Sequence, residues 1–65
     1  MRKEQEFNVG DLFYDNLRPA IGLITDITSG NLIEMYWTDE IEIITLDCVF
    51  ISNRLRASDW IQLNK

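Results

Sequence analysis

Apolar and polar residues alternate with a period of two through the middle of the chain, as they do in half-buried strands. From Ala20 to Thr28, one face carries Ile21, Leu23, Thr25 and Ile27, and the other carries Gly22, Ile24, Asp26 and Thr28. From Leu32 to Thr38 the sorting is sharper. Ile33, Met35 and Trp37 form a purely apolar set against Leu32, Glu34, Tyr36 and Thr38. That contrast assigns Ile33, Met35 and Trp37 to a core and Tyr36 to the surface. Ser29-Gly30-Asn31, between the two runs, reads as a hairpin connection in which Gly30 is free to adopt positive φ.

Two shorter runs flank this pair. Gly10-Asp11-Leu12-Phe13-Tyr14 reads as a first strand, with Leu12 and Tyr14 facing one way and Phe13 the other. After a glycine-free turn at Thr38-Asp39-Glu40, Ile41 to Leu46 reads as a fourth strand, Ile41, Ile43 and Thr45 opposing Glu42, Ile44 and Leu46. Both faces of its second half are apolar, as expected near a barrel's closure or under the chain's tail. Gly22 inside the best strand marks a bulge, a bend or a close approach.

Beyond Leu46 the pattern is less decisive. Asp47 to Ile51 reads as a one-turn 3₁₀ helix leading into strand-like Val49-Phe50-Ile51, and Asn53 to Ala57 is polar. Ser58 to Leu63 fits a last strand or a short helix capped by Asp59. Six residues are few for an independent helix, which favours the extended form. Residues 1 to 8 are polar and expected to be an N-terminal arm, with Phe7 the first anchor to a domain spanning 9 to 65.

Sixty-five residues make one small domain, which usually needs a staple or a neighbour. A single cysteine, Cys48, permits no internal disulfide, and with no histidine the usual zinc sites are out of reach. No cofactor is expected. No apolar run approaches the length of a membrane span, and the charged N-terminus does not read as a signal peptide. An unpaired cysteine favours a reducing intracellular compartment, such as a cytoplasm, or assembly inside a cell, which a virus particle built in a cytoplasm would satisfy equally well.

The charge distribution is more informative than the net charge of −5. Between Pro19 and Asn53 there is no lysine or arginine, against six carboxylates: Asp26, Glu34, Asp39, Glu40, Glu42 and Asp47. Nucleic-acid binding needs cations along a groove, and the sheet expected here has none. The chain after Asn53 is net positive, through Arg54, Arg56 and Lys65. That polarity suits a protein partner.

The layout Val9-Gly10-Asp11-Leu12, Gly22-Leu23-Ile24-Thr25-Asp26-Ile27, Tyr36-Trp37 and Ile41-Glu42-Ile43 resembles small SH3-like barrels of the KOW and Tudor type. In particular it is similar to short proteins of tailed bacteriophages. The resemblance covers roughly residues 8 to 51. It implies a barrel in which one glycine opens the first strand, a second bends the next, and tryptophan fills the core. It further implies a virus-encoded accessory or virion module. Asp39-Glu40 replaces the glycine usual at the third turn, and the basic residues that KOW modules use on RNA are missing.

Candidate chemistry is sparse. Glu40 and Glu42 share a face of the expected fourth strand with Glu34 next door, but a solvated acidic face explains them without acid–base work. Tyr14, Tyr36, Trp37 and Trp60 could form an aromatic cage for a methylated cation. The demand for core volume argues that Trp37 at least is interior. Cys48 has no evident helix N-terminus beside it and reads as structural. The partner-binding candidates are Tyr36, Arg54, Arg56 and Trp60, since Arg and aromatic residues dominate interface hot spots. The competing reading makes the arginines gatekeepers of an edge strand and Trp60 the cover of the barrel's open end.

The expectation is therefore an all-β, five-stranded SH3-like barrel with a short 3₁₀ turn near its C-terminus. It is not an enzyme but a protein-binding module, a minor, cement or connector component of a phage virion held in a larger assembly. A soluble phage-encoded regulator of a host protein and a KOW-like nucleic-acid-binding domain are the alternatives.

Overall fold

The computed structural model describes residues 7–28 and 31–64. Most of the arm expected over residues 1 to 8, and Gly30 of the hairpin connection, lie outside them. Five strands, β1 (Leu12–Asp15), β2 (Ala20–Thr28), β3 (Leu32–Trp37), β4 (Ile44–Asp47) and β5 (Trp60–Gln62), form one antiparallel sheet. The strand order is β4-β3-β2-β1-β5. A nine-residue helix, α1 (Cys48–Arg56), joins β4 to β5. The two edge strands do not pair with each other, so the sheet curls without closing, and α1 packs against both.

The inner face holds the core. Phe13, Ala20, Ile24, Ile33, Met35, Trp37, Ile51 and Trp60 are buried, with Phe7, Ile27, Ile44, Leu46, Cys48 and Leu55 packed around them. In β3 the core set is Ile33, Met35 and Trp37, and Tyr36 is exposed, as the alternation requires. In β2 the two faces exchange midway. Gly22 pairs with Trp37 and Ile24 with Met35, then the register slips, and Ile27 pairs with Ile33. Thr25 is the extra residue, its Oγ1 donating to the Glu34 carbonyl at 3.2 Å. The bulge moves Ile27 to the inner face, so Ile21, Leu23 and Ile27 do not share one side.

Gly22 has a different task. A Cβ built there would lie 2.7 Å from Cε2 and Cζ2 of the Trp37 indole. The strand needs glycine because the ring lies directly against its backbone.

The helix corrects the expected 3₁₀ turn and the strand-like reading of Val49-Phe50-Ile51. Asp47 caps it, Oδ1 accepting from the Val49 N–H at 2.7 Å, a contact worth about 1 kcal/mol. Cys48, Ile51 and Leu55 face the core at helical spacing, and Arg54 and Arg56 stand in the last turn beside the negative end of the helix dipole. The C-terminus closes in a Schellman pattern. Ser58 takes φ of 65°, its N–H bonds to the Leu55 carbonyl, and the Asp59 N–H bonds to that of Arg54. Within the segment expected to be extended, Ser58 to Leu63, Trp60–Gln62 form β5, whereas Ser58 belongs to the helix terminus.

The fourth strand is shorter than the expected Ile41–Leu46. Arg18 reaches from the β1–β2 turn to Asp39 and Glu40, at 3.5 and 3.3 Å. The Glu40 N–H bonds to the Trp37 carbonyl, and residues 40–43 leave the sheet. Glu40 and Glu42 thus occupy a loop, not a shared strand face.

Alanine at position 22 should test the indole contact. In an open strand Gly→Ala is neutral or stabilising. Here it should cost about 1–3 kcal/mol by overpacking, seen as a lowered urea midpoint. Adding Trp37→Phe should make the Gly22→Ala step cheaper than it is in the parent chain. An unchanged or raised midpoint for Gly22→Ala alone would contradict the contact.

Candidate functional site

The open seam between β4 and β5 leaves a groove of about 320 Å³, at the small end of ligand-pocket sizes. Ile44 and Leu46 of β4, Phe50 and Arg54 of α1, and Trp60 of β5 form its walls, closed off by Trp37 and the Asp15–Arg18 turn. Its aromatic rings are tightly associated: Trp37 and Trp60 have centroids 4.8 Å apart, and Phe50 meets Trp60 edge-on at 6.0 Å. Arg18 lies 4.6 Å above the Trp37 ring and Arg54 lies 4.9 Å above Phe50.

Asp15 organises one end. It is buried on the inner face at the end of β1 and accepts from the Leu17 N–H at 2.8 Å and from Arg18 Nε at 3.1 Å. Burial opposes its charge, but the Leu17 N–H, the Arg18 guanidinium and backbone N–H, and the Trp60 indole together hold its pKa below the ordinary value. A carboxylate stabilised in this way is a poor base. Of the other charged groups at the groove, Arg18 is paired with Asp15 and Arg54 is tied to Asp59 at 2.9 Å.

The sequence-based candidates separate onto two sides. Arg54 and Trp60 meet at the groove, with Trp60 buried among the core rings and Arg54 half-exposed. Arg56 is exposed and bonds to Asn53 Oδ1 at 3.0 Å. Tyr36 is on the opposite, outer face of the sheet. The registers also place Tyr14 on that face, so the sheet itself separates Tyr14 and Tyr36 from Trp37 and Trp60. Those four rings cannot form a cage. Cys48, read as lacking a helix start beside it, is the first residue of α1; it is half-buried against the core, its N–H on the Asn31 carbonyl at 2.8 Å.

The outer face carries residues that sequence reasoning did not assemble. Leu63 lies beside Leu12, Leu12 pairs with Leu23, and Leu23 pairs with Tyr36. A second row runs from Ile61 to Tyr14 to Ile21, ending at Thr38, whose Oγ1 accepts from the Ile21 N–H at 3.0 Å. The rows span the sheet for about 14 Å and lie about 7 Å apart. No charged side chain interrupts them. Ile21, Tyr36, Ile61 and Leu63 are 41 to 50% exposed. The signal was Leu12 and Tyr14 sharing a parity, with Leu23 and Ile21 opposite them, but it becomes legible only once the register is known.

Among the described residues no group of three or more His, Cys, Asp or Glu side chains could hold a metal ion, and no helix is long and apolar enough to cross a membrane.

The Asp15 network predicts an acid limb in stability. Its folded pKa lies below the ordinary carboxylate value of 3.8, so its contribution is complete above the unfolded pKa. It is lost as pH falls from about 4 through the lower folded value. Asp15→Asn should cost about 1–2 kcal/mol at neutral pH, from the lost charged hydrogen bonds, and should flatten that limb. Thermal melts between pH 7 and 2 check both. A parallel fall in the two proteins would contradict the assignment. No family model, curated protein or solved structure matches this chain.

Proposed function

We propose that this chain is a non-catalytic protein-binding module that docks through the outer face of its sheet. The observation that carries the reading is the pair of uninterrupted apolar rows on the side of the sheet away from the core. An antiparallel sheet in a free-standing domain keeps one face wet and polar; a second apolar face is a feature of surfaces that meet a partner. The size of the domain points the same way, since a neighbour would stabilise a small core whose sheet is open at one seam. The strand order, with β4 and β5 at the two edges and α1 spanning them, supports viewing the sheet as an SH3-like barrel left open between those strands.

The resemblance carried by Val9-Gly10-Asp11-Leu12, Gly22 and Tyr36-Trp37 supplies the setting: a minor, cement or connector component of a tailed-phage particle, with virion proteins as partners. Of the residues singled out in the sequence, Tyr36 is central to this surface. Arg54 and Trp60 serve the groove side, and Arg56 lies outside both.

Whole-particle mass spectrometry should find the chain in stoichiometric copy. Tyr36→Lys and Ile61→Lys replace half-exposed side chains, so both should melt within a few degrees of the parent and be missing from purified particles. Arg56→Ala should be incorporated normally. Particles without the parent chain would refute the virion setting. Normal incorporation of both lysine variants would refute docking through the outer face.

A further inference from the structure

The apolar rows end at the Thr25 bulge, and beyond it the same face becomes acidic. Asp26 and Glu34 are direct cross-strand partners, Thr45 stands opposite Glu34, and Asp47 pairs with Leu32 one step further along. Like charges placed opposite each other across a sheet repel. No cation relieves them: among the described residues every ion pair is made by Arg18 or Arg54, both at the groove. Nor can β2, β3 or β4 supply one, because no lysine or arginine occurs between Pro19 and Asn53. Asp26 and Asp47 have local backbone roles, on the Ile27 and Val49 N–H groups. Glu34 has no side-chain hydrogen bond or ion pair among the described residues. The uncompensated charge lies along one border of the apolar rows.

Resting on the reading that this face docks a protein, we infer that the partner presents an apolar ridge with lysine or arginine along one flank. The ridge covers the two rows, and the basic flank meets Asp26, Glu34 and Asp47. Burial of the rows supplies most of the affinity. The charged border fixes which way round the partner sits and speeds its approach. A second copy of this chain does not meet the requirement. Each copy carries a net charge of −5, and among the described residues the outer face of one has no cation to offer the carboxylates of the other.

The full-length chain can be titrated with two amphipathic helical peptides that share one leucine face, flanked by lysine in the first and by glutamate in the second. The lysine peptide should bind, and more weakly as salt rises. The Asp26→Asn, Glu34→Gln double variant should weaken it about fivefold, the sum of two exposed ion pairs. Ile61→Lys should abolish binding. The glutamate peptide should not bind. Equal binding of both peptides, binding of neither, or salt-independent binding would overturn the inference. So would a dimer in sedimentation that competes with the lysine peptide. If Tyr36→Lys blocks incorporation into particles while the two peptides bind alike, the docking face stands and the basic partner is rejected.

Discussion

The Trp37 indole lies against the backbone of Gly22, close enough to exclude a Cβ, with Trp60 packed beside it and the Arg18 guanidinium over it. Most other features of the fold follow from this contact. It joins β2 to β3, draws the β1–β2 turn over the core through Arg18, and gives β5 an aromatic surface to pack on. Once the largest side chain occupies the concave side, the residues of opposite parity must face outward. Leu23 and Tyr36 lie outside because Gly22 and Trp37 lie inside.

A chain of this size has no room for a third layer. It covers its one core with a single sheet, and where a closed barrel would join β4 to β5 it uses a helix. That substitution seals part of the seam with Ile51 and Leu55 and leaves the remainder as the aromatic groove. Hydrogen bonds from Asn16 to Asp59 and Ser58 tie the β1–β2 turn to the end of α1. Asn64 continues the β1–β5 pairing with its side chain, accepting from the Leu12 N–H and donating to the Gly10 carbonyl. The two surfaces that result differ in kind. The groove has its charges internally paired, whereas the outer face has apolar rows and carboxylates with no cationic partner among the described residues.

The strands were legible where one face is purely apolar: Ile33, Met35 and Trp37 settled β3 and the position of Tyr36. Gly22 could be recognised as a place of close approach, though not its cause, because its neighbour is set by register. The Thr25 bulge left no mark, since threonine suits a regular strand equally well. The helix was hidden by its chemistry. Val49-Phe50-Ile51 has high strand propensity, the cap is an aspartate that also suits a turn, and the left-handed terminating residue is Ser58 where glycine would have been a signal. The loop before the shortened β4 meets Arg18, more than twenty positions earlier in the chain, a pairing that no local pattern records. Of the candidate site, the aromatic and arginine residues could be named from the sequence. Which of them share a side of the sheet could not, because one residue of slip exchanges the faces.

Hydroxyl-radical footprinting of the free chain and of the chain in purified particles tests the proposed docking surface most directly. Protection of Tyr36, Ile61 and Leu63, with Phe50 and Leu17 at the groove as reactive as in the free chain, is the expected result. Protection of the groove with the outer rows still reactive would contradict it.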